Sequence, residues 1–87
     1  MYKIIKDIDE IQELIFKFDI KTAMNYIVEL SDRLLSLSES LNSNELQELG
    51  EIFNYLNVAL SNKDYLLYSD ILEFDVKKFI NKRCMNS

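Results

Sequence analysis

Asp7, Asp9, Glu10 and Glu13 form the densest group in this chain that could do chemistry. Asp7-Ile8-Asp9 shares the alternating acids of a calcium-binding loop, but the loop glycine and the closing glutamate are missing. Ile4, Ile8 and Ile11 also run through the segment at helical spacing, so the acids read as the solvated face of a helix. The chain has no histidine, which removes the commonest acid/base group near neutral pH and every Ser-His or Cys-His nucleophile pair. It also removes the Glu-x-x-His repeats of a carboxylate-bridged di-iron bundle. Gly50 stands alone, so no glycine-rich loop can cradle phosphate. These residues predict no catalytic site, no metal site and no cofactor, and hence a protein that is not an enzyme.

Charge and cysteine usage narrow the remaining classes. A net charge of −5 disfavours nucleic acid, whose phosphates need clustered Lys and Arg. The basic cluster Lys77, Lys78, Lys82 and Arg83 instead suits the negative end of a terminal helix. Cys84 is the single cysteine and cannot form an internal disulfide, which fits a reducing compartment. No apolar run approaches the roughly 18 residues of a membrane span. Charges interrupt the apolar residues of Met1-Tyr2-Lys3-Ile4-Ile5-Lys6-Asp7, so no signal peptide is read there. A cytoplasmic protein without membrane contact is the expectation.

The elements that must position any site are helices. Proline is absent and there is one glycine, whereas a small β-fold needs many tight turns. Ile4, Ile8, Ile11, Leu14, Ile15 and Phe18 mark a first amphipathic helix, with Lys3/Asp7, Lys6/Glu10 and Glu13/Lys17 as i,i+4 pairs on its other side. Ala23, Ile27, Leu30, Leu34, Leu37 and Leu41 mark a second, widened by Met24, Val28 and Leu35. A single rod over residues 3–41 would be about 58 Å long, too long for a domain whose radius of gyration should be ~12 Å. A reversal near Phe18 to Lys21 is therefore predicted, with Asp19 as the new cap. Asn42-Ser43-Asn44 is the clearest break, with Asn44 and Gln47 as a capping-box pair. Leu46, Leu49, Ile52, Phe53, Leu56 and Leu60 then face inward on a third helix. Asn62 suits a left-handed closing residue, and Asp64 suits the cap of a fourth helix. The expectation is one all-α domain over residues 1–87, an antiparallel up-down bundle with helices near 3–18, 20–41, 45–61 and 64–82. The alternative is three helices, the first two being continuous.

Surplus apolar surface carries the functional expectation. The fourth segment bears one stripe of Tyr65, Tyr68, Leu72, Val76 and Phe79 and another of Leu67, Ile71 and Phe74. A helix covered on one side needs only one. Ile52 to Asn62 of the third helix carries no charge, and Gly50, Asn54, Asn57 and Ser61 line its other side with small neutral groups. Phe18, Phe53, Phe74 and Phe79 read as core, whereas Tyr55 and Val58 lie off the main face. Tyrosine is favoured at interfaces. Tyr55, Val58, Tyr65, Tyr68 and Leu72 are therefore the expected partner-binding strip, accepting a second copy in a dimer or a partner's amphipathic helix.

Asn62-Lys63-Asp64-Tyr65-Leu66-Leu67-Tyr68-Ser69-Asp70-Ile71-Leu72-Glu73-Phe74 resembles the tail of a family of small all-helical proteins from Gram-positive bacteria, which has no assigned activity and is associated with motility genes. The shared form is Asn-Lys-Asp-Tyr followed by an Asp-hydrophobic-Leu-Glu-aromatic helix, and it covers the last third of the chain. The resemblance implies an accessory or adaptor role and carries over no catalytic residue. Small flagellar export chaperones are also acidic helical bundles, so an export chaperone of the motility apparatus is the alternative expectation.

Overall fold

Ile4, Ile8, Ile11 and Ile15 occupy the buried face of α1 (Tyr2–Phe16), as their spacing requires. The computed structural model describes the backbone of residues 2–86 and the side chains of residues 3–82. Arg83 and Cys84, named above for their charge and thiol, therefore have side chains outside the described residues. α2 (Ile20–Ser38) buries Ala23, Ile27, Leu30 and Leu34 and leaves Val28 and Leu35 exposed. It stops three residues before the expected end, as backbone bonds tighten to i→i−3 through Glu39, Ser40 and Leu41.

α3 (Ser43–Ser61) begins at a reciprocal capping box. The Asn42 side chain accepts from the Glu45 amide at 2.9 Å, and Glu45 Oε1 accepts from the Asn42 amide at 3.1 Å. The box thus sits two residues before the expected Asn44/Gln47 pair. Its acidic partner is Glu45, which also favours the positive end of the helix. Leu49, Ile52, Leu56 and Ala59 are buried, whereas Leu46 at the start of the helix is exposed.

The fourth rod is not uniformly α-helical. α4 (Tyr65–Ile71) passes into a π-helical turn (Leu72–Val76) and continues as α5 (Lys77–Asn86). The sequence dictates the extra residue. Tyr68, Leu72, Val76 and Ile80 are all buried, yet steps of four on an α-helix drift by about 40° each. Asp75 would also fall near the middle of the face that Ile71 and Phe79 share. One additional residue in the π-turn restores the register after Leu72 and leaves Asp75 exposed. The two expected stripes resolve accordingly. Ile71 joins the core, and Leu67 and Phe74 remain outside. Phe79 is core as expected, Phe53 is half-buried, and Phe74 and Phe18 are corrections, both exposed.

α1 packs against both α2 and α4, and α3 packs against α4. Polar contacts fix the pairing. Arg33 Nε donates to Asp7 Oδ2 at 2.7 Å, joining α2 to the buried carboxylate of α1. Asp7 thus leaves the expected solvated face for a partner on another helix. Glu13 and Lys17 do form their i,i+4 pair at 3.0 Å. From α1, Gln12 Nε2 donates to the Ser69 carbonyl at 3.3 Å and to Glu73 Oε1 at 3.1 Å. Lys77 Nζ lies 2.9 Å from Asp9 Oδ1 and 3.1 Å from Glu73 Oε1. This network brackets the π-turn, where the backbone ladder changes register and carbonyls need other donors. The Gln12 hydrogen bond, then that from Lys77, holds the Glu73 carboxyl below the ordinary carboxylate range. The Asp9 hydrogen bond chiefly raises Lys77.

Four antiparallel rods result, with the first two separate and a Cα radius of gyration of 12.4 Å. No helix among the described residues is long and apolar enough to cross a membrane.

Candidate functional site at the turn end

The two three-residue turns, Lys17–Asp19 and Asn62–Asp64, are built alike and lie at the same end of the bundle. In the first, the Phe18 amide donates to the Ile15 carbonyl and the Asp19 amide to the Leu14 carbonyl, at 3.0 and 2.9 Å. In the second, the Lys63 amide donates to the Leu60 carbonyl and the Asp64 amide to the Ala59 carbonyl, at 3.0 and 2.8 Å. This is the paired bonding of a Schellman motif, which places its penultimate residue in the left-handed region. Phe18 has φ 60° and Lys63 φ 55°. The closing Asp then begins the next helix. Asp19 Oδ1 accepts from the Thr22 amide at 3.3 Å, and Asp64 Oδ1 accepts from the Leu67 amide at 3.1 Å.

Asp19 and Asp64 were legible as caps. The left-handed residue was not, because glycine and asparagine are its usual occupants and Asn62 stood one position too early. Asn62 has φ −87°, and Lys63 takes the left-handed role. The signal was the Asp itself, since the residue directly before a cap that also closes a helix must make the turn.

The first turn carries two unfavourable features at one residue. A left-handed backbone costs a bulky L-residue about 1 kcal/mol relative to glycine, and the Phe18 ring, 87% exposed, recovers nothing by burial. Phe16 is 80% exposed and Leu66 70%. Phe18 and Leu66 line a cleft of about 440 Å³ together with Ile15, Ile20, Lys63, Asp64 and Tyr65. The turn end is locally neutral. Lys17, Lys21 and Lys63 balance Glu13, Asp19 and Asp64, in a chain of net charge −5. Lys63 has no ion-pair partner among the described residues.

The expected partner-binding strip is not one surface. Tyr55, 56% exposed, and Val58 lie on the outer side of α3. Tyr65 is half-buried at the cleft. Tyr68, 2% exposed, and Leu72, fully buried, belong to the core and cannot contact a partner. The correction follows from the π-turn, which aligns Tyr68 and Leu72 with Val76 and Ile80 against α1 and α3. The Tyr68 hydroxyl has no hydrogen-bond partner among the described residues, and burial pushes its pKa well above the usual tyrosine range.

Sequence reasoning missed Phe18 and Leu66. Phe18 continues the isoleucine periodicity and looks like core until the helix is known to stop at Phe16. The cleft offers apolar walls, an ammonium group and a carboxylate already engaged as a cap. That set can hold an apolar side chain. Among the described residues no group of three or more Cys, Asp or Glu gathers as a metal site would require. Comparison with family models, curated proteins and solved structures gives no match.

Proposed function

We propose that this protein is a non-enzymatic interaction module that docks through its turn end. The observation that carries the reading is Phe18, fully projecting on a left-handed backbone beside an apolar cleft. Exposed strain of this kind persists where it serves a contact, and buried aromatics supply much of the energy of protein interfaces. Tyr65, from the expected strip, contributes one wall of the cleft. Tyr55 and Val58 form a smaller separate patch on α3. The resemblance of residues 62–74 to small motility-associated proteins points the same way, since it implies an adaptor. A cytoplasmic setting is part of the proposal and rests on the sequence having a single cysteine.

Site-specific photocrosslinking in cells tests the reading. A photoreactive phenylalanine analogue at position 18 or 66 should give discrete protein adducts, while the same analogue at exposed Val28 on α2 should give none. No adduct from position 18, or identical adducts from positions 18 and 28, would remove the turn end as a docking surface.

A further inference from the structure

We infer that the occupant of the turn-end cleft is a second copy of this chain, placed across a two-fold axis so that each copy lays its Phe18 into the other's cleft. This rests on the docking role just proposed and names its partner. The first argument is charge. At −5 per copy two molecules repel over most of their surfaces. The turn end escapes this, because its three lysines match its three carboxylates. A two-fold axis sets the unpaired Lys63 of one copy against the Asp19 and Asp64 side of the other, so the surface complements itself.

The second argument is shape. An isologous interface needs projection and recess on the same patch, because each copy must offer both. Phe18 projects and the cleft it borders recedes. An apolar cavity of about 150 Å³ suffices for a benzene ring, so a cleft of about 440 Å³ admits a phenyl group without rearrangement.

The third argument is area. Taking about 200 Å² for each phenylalanine, Phe16 and Phe18 together expose roughly 300 Å². With Leu66, Tyr65 and the Lys63 stem, full coverage of these groups on two copies buries at most about 1,000 Å², the lower limit for a specific interface. A weak, reversible dimer follows, with Kd on the order of 10–1,000 µM as the range to be searched.

Sedimentation of the full chain from about 5 µM to about 1 mM is the test, a range that brackets the expected Kd. The intact protein should pass from monomer to dimer. Phe18→Asp should raise Kd at least about tenfold, the effect of removing an interface anchor. Lys63→Glu should weaken the dimer and reverse its response to salt, because salt then screens a repulsion in place of an attraction, and Val28→Asp should leave it unchanged. Phe18→Gly is compatible with the left-handed turn, so its loss of dimer with intact helical circular dichroism separates docking from misfolding. A protein monomeric to about 1 mM, or a dimer indifferent to Phe18→Asp, overturns the inference. If position 18 then still crosslinks to a different protein, the second copy is wrong and the docking surface stands; if it crosslinks to nothing, both fall.

Discussion

Removing the hydroxyl of Tyr68 should stabilise this protein, and the gain should grow with pH. The ring is core, packed with Ile71, Leu72 and the isoleucines of α1, while its hydroxyl has no partner among the described residues. Leaving such a group dry costs about 1–3 kcal/mol, so Tyr68→Phe, which keeps the ring, should gain about 1 kcal/mol near neutral pH. The alkaline effect has a definite sign. Burial raises the folded pKa, so the unfolded chain, whose tyrosine titrates near 10, loses its proton first. The wild-type contribution is therefore complete below about pH 10 and falls as pH rises through the folded value. At pH 11 ionisation of the unfolded tyrosine is worth about 1.4 kcal/mol, which the phenylalanine variant does not lose. Urea unfolding of both proteins at pH 7 and pH 11 should show that increment in the difference between them, with other ionisations cancelling. Ultraviolet difference spectra at 295 nm, a wavelength read for phenolate, should count one tyrosine fewer titrating in the folded wild type than in the unfolded chain. A variant less stable by more than about 1 kcal/mol at pH 7 would mean that the hydroxyl is satisfied. Equal differences at the two pH values would mean that it titrates in the folded state.

Three further outcomes follow. Phe18→Gly should raise the thermal midpoint of dilute, monomeric protein, gaining about 0.5–1 kcal/mol from relief of the left-handed backbone with no packing lost; a lower midpoint would place the ring in the fold. Arg33→Met should cost about 1–3 kcal/mol by leaving the buried Asp7 carboxylate uncompensated, toward the lower end because the guanidinium is partly exposed. Asp7→Leu added to Arg33→Met should recover most of that loss in urea titrations, and an additive further loss would contradict the pairing. Deletion of Asp75 should be tolerated with helicity intact, because it converts the π-turn to an α-turn with the core register kept, whereas deletion of Asn25 should unfold the protein by turning Ile27, Leu30 and Leu34 about 100° out of the core.

The fold was largely legible because helical periodicity acts over single turns, and burial obeys it. The isoleucines of α1, the stripe of α2 and the caps at Asp19 and Asp64 all rest on neighbours three or four residues apart. Long-range causes left no such mark. Helical spacing sets Asp7 nearer the isoleucine stripe than Asp9, but nothing local names their partners, Arg33 on α2 for the first and Lys77 on the fourth rod for the second. Phe18 keeps the spacing of the residues before it, so only the helix end two positions earlier moves it from core to solvent.

The π-turn explains why the fourth segment reads as greasier than it is. Two stripes on one regular helix imply two covered sides, and that inference holds only while every residue advances the chain by 100°. One additional residue between Leu72 and Val76 merges Ile71 with the main stripe and leaves the other two members of the second, Leu67 and Phe74, exposed. Leu72 and Tyr68, chosen for docking from that surplus, instead become the residues least able to reach a partner. The surplus that survives is spread over Val28 and Leu35 on α2, Tyr55 and Val58 on α3, Leu67 and Phe74 on the fourth rod and, where periodicity ends, a turn whose hydrogen bonds force a phenylalanine outward. An apolar residue that a regular helix would have buried is there held in water by the backbone itself, and that arrangement, absent from the exposed apolar residues on the helix faces, is what sets the turn end apart.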